Sequence, residues 1–166
     1  MAAEPTPAAT TVPATPVELL AARGVSFAVH EHPGSADPAE VCAALGVALA
    51  ETVKTLAFET ADGHLVLAAF PGHARLKYGA LARAAGVRRA ELAPAGVARL
   101  AALGMAPGGV CPVSADGAAV VVFDAAVAHM GTVHCGSGRP DRTIEVAAGE
   151  LAAAVPGARW AEIAAG

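Results

Sequence analysis

Apolar positions along the chain fall into short runs punctuated by glycine, proline and Asp-Gly, and the runs alternate between helical and strand spacing. Thr15-Pro16 followed by Val17, Leu19 and Leu20 and stopped by Gly24 predicts a first helix, with threonine as cap and proline in the first turn. Residues 25–30 then read as a strand. Asp37-Pro38-Ala39-Glu40 starts a second helix with an acid three places after the cap; it carries Val41 and Leu45 and closes at Gly46. Residues 53–59 and 64–70 are strands flanking Asp62-Gly63, the best hairpin turn signal in the sequence. Helices are predicted over residues 76–85, ended by Gly86, and 95–103, ended by Gly104. Beyond Gly104 the texture turns to glycine and proline, followed by strands at 119–123, 132–135 and 143–146 and a closing helix at 150–155.

Strands and helices mix here without a regular βαβ alternation, so the expected class is α+β, a mixed sheet with helices packed outside it. Residues 1–15 are almost entirely Ala, Pro and Thr, a composition unable to bury a face, and are expected to be a disordered leader to one domain over residues 16–166. With 55% apolar residues but only 4% aromatics, the core must come from Leu, Val and Ala. Every long apolar stretch is interrupted well before the ~20 residues a membrane span requires, and the first sixteen residues carry Glu4 and no Lys or Arg. A cytoplasmic protein with no membrane partner is the expectation.

A net charge of −4 argues against gripping a long nucleic acid through the whole surface. It leaves room for a local patch, and Arg75, Lys77, Arg83, Arg88 and Arg89 fall within fifteen positions, as a patch or as a solvated helix face. The three cysteines, Cys42, Cys111 and Cys135, include no CxxC pair and read as buried thiols. The six histidines, His30, His32, His64, His73, His129 and His134, contain no HExxH, so no metal site is predicted.

Two features carry candidate chemistry. Lys54, one of only two lysines, lies in Val53-Lys54-Thr55-Leu56-Ala57-Phe58, where strand alternation puts it on one face with Leu56 and Phe58. An ammonium held there either snorkels to the edge or lines a pocket. The second feature is a pair of glycine-rich loops, residues 104–112 and 136–140. They suit backbone N–H groups that approach an anionic or carbonyl oxygen, and they equally suit tight turns. Neither matches GxxxxGK[ST] or a GxGxxG that opens a helix, and Ser137 is not in GxSxG, so nucleotide-phosphate and serine-triad readings find no support.

Taken in order, V-K-T-L at residues 53–56, G-x-x-x-G-G-x-x-P at 104–112 and a Gly/Ser loop before I-E-V resemble the YbaK/ProX family. Those proteins are aminoacyl-tRNA deacylases related to the editing domain inserted in prolyl-tRNA synthetases. The resemblance runs from about Pro16 to Ile163. It implies a barrel-like mixed sheet surrounded by helices, with Lys54 as the essential lysine and Gly104, Gly108, Gly109 and Pro112 as the substrate-embracing loop. Gly136, Ser137 and Gly138 stand where the family usually has Ser-Gly-Gly. His32 falls where one branch has a tyrosine and Thr143 where that branch has an aspartate, with Asp141 close by.

The implied activity is trans-editing of mischarged tRNA, Cys-tRNA-Pro or Ala-tRNA-Pro first, with other branches removing Ser or Thr. The implied partners are the tRNA 3′ end and prolyl-tRNA synthetase, and the implied state is a monomer without metal or organic cofactor. In that mechanism Lys54 contacts the phosphate or ribose of the terminal adenosine, and loop N–H groups orient the ester carbonyl. Water, or the thiol of a cysteinyl substrate, attacks, and no protein nucleophile is needed. The competing expectation is a non-catalytic module of the same fold that docks a tRNA end or a synthetase.

Overall fold

The computed structural model describes residues 13–166, so most of the expected leader lies outside the described residues. Helix α1 (Pro16–Ala22) is capped as its sequence demands. The Thr15 hydroxyl accepts from Glu18 N–H at 3.2 Å, and the Glu18 carboxylate accepts from Thr15 N–H at 3.0 Å. Strand β1 (Phe27–Glu31) leads to α2 (Pro38–Leu45), whose first turn is satisfied by Asp37 accepting from Ala39 N–H at 2.9 Å. Glu40, expected to complete that cap, instead accepts from the Ser35 hydroxyl at 2.6 Å and ties down the loop before the helix.

Strands β2 (Thr52–Glu59) and β3 (Leu65–Pro71) form the expected hairpin, but its loop is longer than a two-residue turn. Thr60 N–H donates to His64 O at 2.9 Å, leaving Ala61, Asp62 and Gly63 as the loop with Gly63 at φ 83°.

Two predicted helices are shorter than their periodicity suggests. Residues 75–76 are not helical: β4 (Arg75–Leu76) pairs with β10 (Ala164–Ala165), and α3 spans Tyr78–Ala85. Lys77 N–H donates to Ile163 O at 2.7 Å, a distant partner that competes successfully with the first helical turn. Likewise β5 (Ala93–Pro94) pairs with the end of β2, and Ala95 N–H donates to Ala57 O at 2.9 Å, so α4 is confined to Val97–Ala101. The remaining elements, β6 (Val120–Asp124), β7 (Thr132–Gly136), β8 (Arg142–Ala147) and α5 (Ala148–Ala153), fall within two residues of expectation. Strand β9 (Arg159–Ala161) and, among the described residues, three 3₁₀ turns have no counterpart in the sequence reading.

The sheet runs β1-β8-β7-β2-β3-β6-β9, with β5 also paired to β2. It is mixed: β1/β8, β7/β8 and β2/β3 are antiparallel, whereas β2/β7, β3/β6 and β6/β9 are parallel. Strand β3 lies in the middle and is buried on both faces, which explains its unbroken apolar run. Leu65, Leu67 and Ala69 join the larger core with Leu20, Leu100 and Leu151, while Val66, Ala68 and Phe70 join a smaller core with Leu81 and Ile163. The chain's last turn is pinned by the buried Asp124, whose carboxylate accepts from Ile163 N–H at 2.9 Å and Ala164 N–H at 3.0 Å. Among the described residues no helix is long and apolar enough to cross a membrane.

One irregularity of the sheet positions the site. Strand β7 pairs with β2 only at Thr52 and Val53, and β5 only at Phe58 and Glu59. Between these contacts one edge of β2, from Lys54 to Ala57, has no strand beside it. Beyond Val53 the two parallel strands part like a fork, and Gly136 at the end of β7 packs against the backbone of Gly109 and Val110.

Candidate active site

A cavity of about 300 Å³ opens in that fork, at the small end of the range typical for ligand pockets. Its walls come from β2 (Thr52 to Leu56), the end of β7 (His134, Cys135, Gly136), the start of β8 (Arg142, Thr143) and α2 with the loop before it. Lys54 lines it, and its side chain is exposed rather than sunk beside Leu56 and Phe58. Strand alternation thus places Lys54 on the expected face. The unpaired edge of β2 lets residues of both faces, Thr55 as well as Lys54, reach the same space.

Three buried side-chain polar atoms lack a protein partner among the described residues: Thr55 Oγ1, His134 Nδ1 and Arg142 Nε. All three belong to residues that line this cavity. An unmatched buried polar group costs on the order of 1–3 kcal/mol, so a cavity whose wall residues carry three of them is a candidate binding site. The Arg142 guanidinium is paired with Glu31 at 3.0 Å, so the positive charge that the cavity offers an anionic or acceptor-rich occupant is that of Lys54.

His32 lines the cavity through a bonded pair with Thr143. Its Nδ1 lies 3.0 Å from Pro33 O, a carbonyl that only accepts, so in the neutral ring the proton sits on Nδ1. Nε2 is then the acceptor for the Thr143 hydroxyl at 2.8 Å. Asp141 does not join them. Its carboxylate accepts two hydrogen bonds from the Arg139 guanidinium, both at 2.9 Å, which hold its pKa below the usual carboxylate value, and it is absent from the cavity wall.

The glycine loops divide by role. Gly108 and Gly136 line the cavity, while Gly104, Gly109, Pro112, Ser137 and Gly138 do not. The two loops pack backbone against backbone. Gly138 N–H donates to Gly109 O at 2.6 Å, Ala106 N–H to Gly138 O at 2.8 Å, and Gly109 N–H to Ala106 O at 3.0 Å. A Cβ on Gly109 would sit 2.6 Å from Arg139 backbone atoms. The Ser137 hydroxyl is buried and donates to Arg142 O at 2.7 Å, so it braces the loop.

The five basic residues are exposed, and none lines the cavity. Of the five only Arg88 has an ionic partner among the described residues, Glu91 at 3.2 Å, and Arg89 lies over the Tyr78 ring at 5.9 Å. Residues that sequence reasoning did not single out for the site are Thr55, Arg142, His134 and Cys135. Only Thr55, next to Lys54, had a visible signal: a polar residue on the inward face between Val53 and Ala57.

Residues 32–154 match the family model of the aminoacyl-tRNA editing domain. The chain belongs to the aminoacyl-tRNA editing family. Among solved structures, this editing domain is similar to the hypothetical protein APE2540, 28% identical over 90% of this chain and 98% of that one, with a TM-score of 0.77. It is equally similar to a candidate trans-editing enzyme for prolyl-tRNA synthetase, 28% identical over 91% of this chain and 96% of that one, also at 0.77. A candidate signal transduction protein from Marinobacter aquaeolei VT8 shares the fold alone, at 14% identity and a TM-score of 0.64 over 91% of this chain and 30% of that one.

The cysteines of the editing domain are all buried. Cys135 lies against Cys111, and the thiol–thiol contact followed by burial pushes its pKa well above the usual value, the opposite of what a nucleophile needs. Single Cys42→Ala, Cys111→Ala and Cys135→Ala variants are therefore expected to keep most of their turnover. Cys42 and Cys135 line the cavity, so a changed amino-acid preference is compatible with this; a trapped acyl-enzyme detected by mass spectrometry is not.

Proposed function

We propose that the chain, through residues 16–166 and independently of the leader, hydrolyses the ester of mischarged tRNA in trans in the cytoplasm. Cys-tRNA-Pro and Ala-tRNA-Pro are the first substrates in this reading. The observation that carries it is the gathering of Lys54 and the three unpartnered buried polar groups around one small cavity in a chain of the editing family. The terminal adenosine sits at the exposed end, where the Lys54 ammonium contacts its phosphate or ribose. The aminoacyl group enters the deeper part, among Val41, Cys42, Thr55 and the hydrogen-bonded His32–Thr143 pair. Those walls carry no carboxylate, ammonium or guanidinium and enclose little space, which suits a short side chain such as that of Ala or Cys.

An aminoacyl ester is already activated, so positioning and polarisation suffice. Gly109 N–H is committed within its own loop, which leaves the lining residues Gly108 and Val110 to offer N–H groups to the carbonyl. Water attacks, or the substrate thiol in the cysteinyl case, and the developing negative charge rests on those donors. Gly104, Gly109, Pro112, Ser137 and Gly138 act by holding the wall in place. The reaction in this reading needs no metal: EDTA is expected to leave turnover unchanged, and loss that zinc restores would count against it.

The test is deacylation of a panel of Cys- and Ala-tRNA-Pro together with Ser- and Thr-charged tRNAs, with and without prolyl-tRNA synthetase. Release of amino acid from either tRNA-Pro substrate by the isolated chain supports the reading. Binding without release identifies a docking module instead. Association should be salt-sensitive, because an acidic protein must meet phosphates through a local patch. Reversing the charge of Lys77 and Arg83 together is expected to weaken tRNA binding at least about tenfold at low salt, less as salt rises. Unchanged binding by that double variant removes the patch from the account.

A further inference from the structure

Beside the cavity, His30 and Glu145, which the editing reading does not use, converge on the Nε2 side of His134, whose other ring nitrogen belongs to the cavity wall. Glu145 on β8 faces His134 directly across on β7, and on the other side β1 places His30 opposite Thr143, two residues from Glu145. The two-residue alternation puts all three on one face of the β1-β8-β7 sheet. Both imidazoles approach the same carboxylate oxygen: Glu145 Oε1 lies 2.7 Å from His30 Nε2 and 3.6 Å from His134 Nε2. One ligand atom from each residue lies within 4.8 Å of the others.

We propose that His30, His134 and Glu145 form a binding site for one divalent transition-metal cation of the zinc class. Two imidazole nitrogens and a carboxylate oxygen are a donor set that zinc accepts, with water in the fourth position. Ligand atoms around a tetrahedral zinc sit about 3.4 Å apart, so the short His30 contact opens and the widest separation closes through side-chain torsions, without moving the strands. Glu145 and His30 are each 40% exposed, so a cation can enter from solvent, whereas His134 is 11% exposed and reaches inward to the cavity wall. Strand pairing fixes the three backbones, so little ordering is required on binding. No sequence motif flags the set, because its members come from three strands and His30 lies 115 positions from Glu145.

The test uses the full chain, freed of metal by chelation and titrated with Zn²⁺ and with Co²⁺ alone, by calorimetry and by visible absorption. One saturable equivalent per chain is expected. His30→Ala and Glu145→Gln should each weaken it at least about tenfold, while Lys54→Ala and Cys42→Ala bind as the parent does. Glu145→Gln keeps shape and hydrogen bonding, so it reads the site even if His30→Ala folds poorly. No saturable equivalent, undiminished affinity in both site variants, or a thiolate-to-cobalt absorption band would overturn the proposal. The titration contains no tRNA, so its failure leaves the deacylase reading standing, and inactivity toward mischarged tRNA leaves the cation site standing.

Discussion

Lys54→Ala is expected to lower deacylation turnover at least ~100-fold, about 2.7 kcal/mol of transition-state stabilisation, while the fold survives. Lys54 lines the cavity beside the unpartnered Thr55, in a position to meet a phosphate or ribose. Its side chain is exposed, and among the described residues no carboxylate pairs with it, so its loss strands no buried charge. The melting temperature should therefore barely move, in contrast to a lysine whose stem holds a core together. Lys54→Arg is the sharper variant. A planar guanidinium keeps the charge but spreads it over a fork that cannot occupy the compact position of an ammonium, and rescue should be poor. Single-turnover rates on every good substrate check this, and a near wild-type rate from either variant would remove Lys54 from the chemistry.

Gly136→Ala should be the most disruptive single-methyl change in the site, and it should act on stability first. Gly136 ends β7 where the two glycine loops meet. A Cβ there would lie 2.8 Å from Gly109 C and O and closer still to Val110 O. These are backbone atoms in a bonded loop, so they cannot swing aside as a side-chain tip would. Overpacking of this kind costs about 2–3 kcal/mol, roughly 4–12 °C in melting temperature for a chain of this size. Because Gly136 and Val110 both line the cavity, turnover should fall with stability even below the melting transition. Gly149→Ala in α5 is the control: nothing lies within 4 Å of its Cβ, and a helical Gly→Ala change gains about 0.5–1 kcal/mol. If Gly136→Ala melts with the parent protein, the close loop contact is not what selects glycine there.

Local signals set most of the elements. The Thr15 and Asp37 caps, the stops at Gly46 and Gly86 and the Asp62-Gly63 hairpin all appear where the sequence places them. Each works through bonds between residues a few positions apart, so a linear reading can see them. The mixed α+β class and the editing family were legible for the same reason, from element order and short motifs. What failed locally failed to a distant partner: β4 exists because β10 lies beside it, and α4 is short because Ala95 is bonded to β2.

The candidate site shows the same division. Alternation within one strand settled which face Lys54 shares, and the family motif marked it. Whether it snorkels or lines a cavity depended on the fork between β2 and β7, a property of strand pairing across some eighty positions. Thr55, Arg142, His134 and the His32–Thr143 pair joined the site only through that pairing. The glycines of both loops were visible as residues. Their separation into Gly108 and Gly136 on the cavity wall, with Gly104, Gly109 and Gly138 behind it, was decided by the backbone contact between loops. Spacing along the chain records what neighbours in sequence can do for one another. A cavity is made by residues that meet only when the sheet closes around them, so its composition belongs to the tertiary structure.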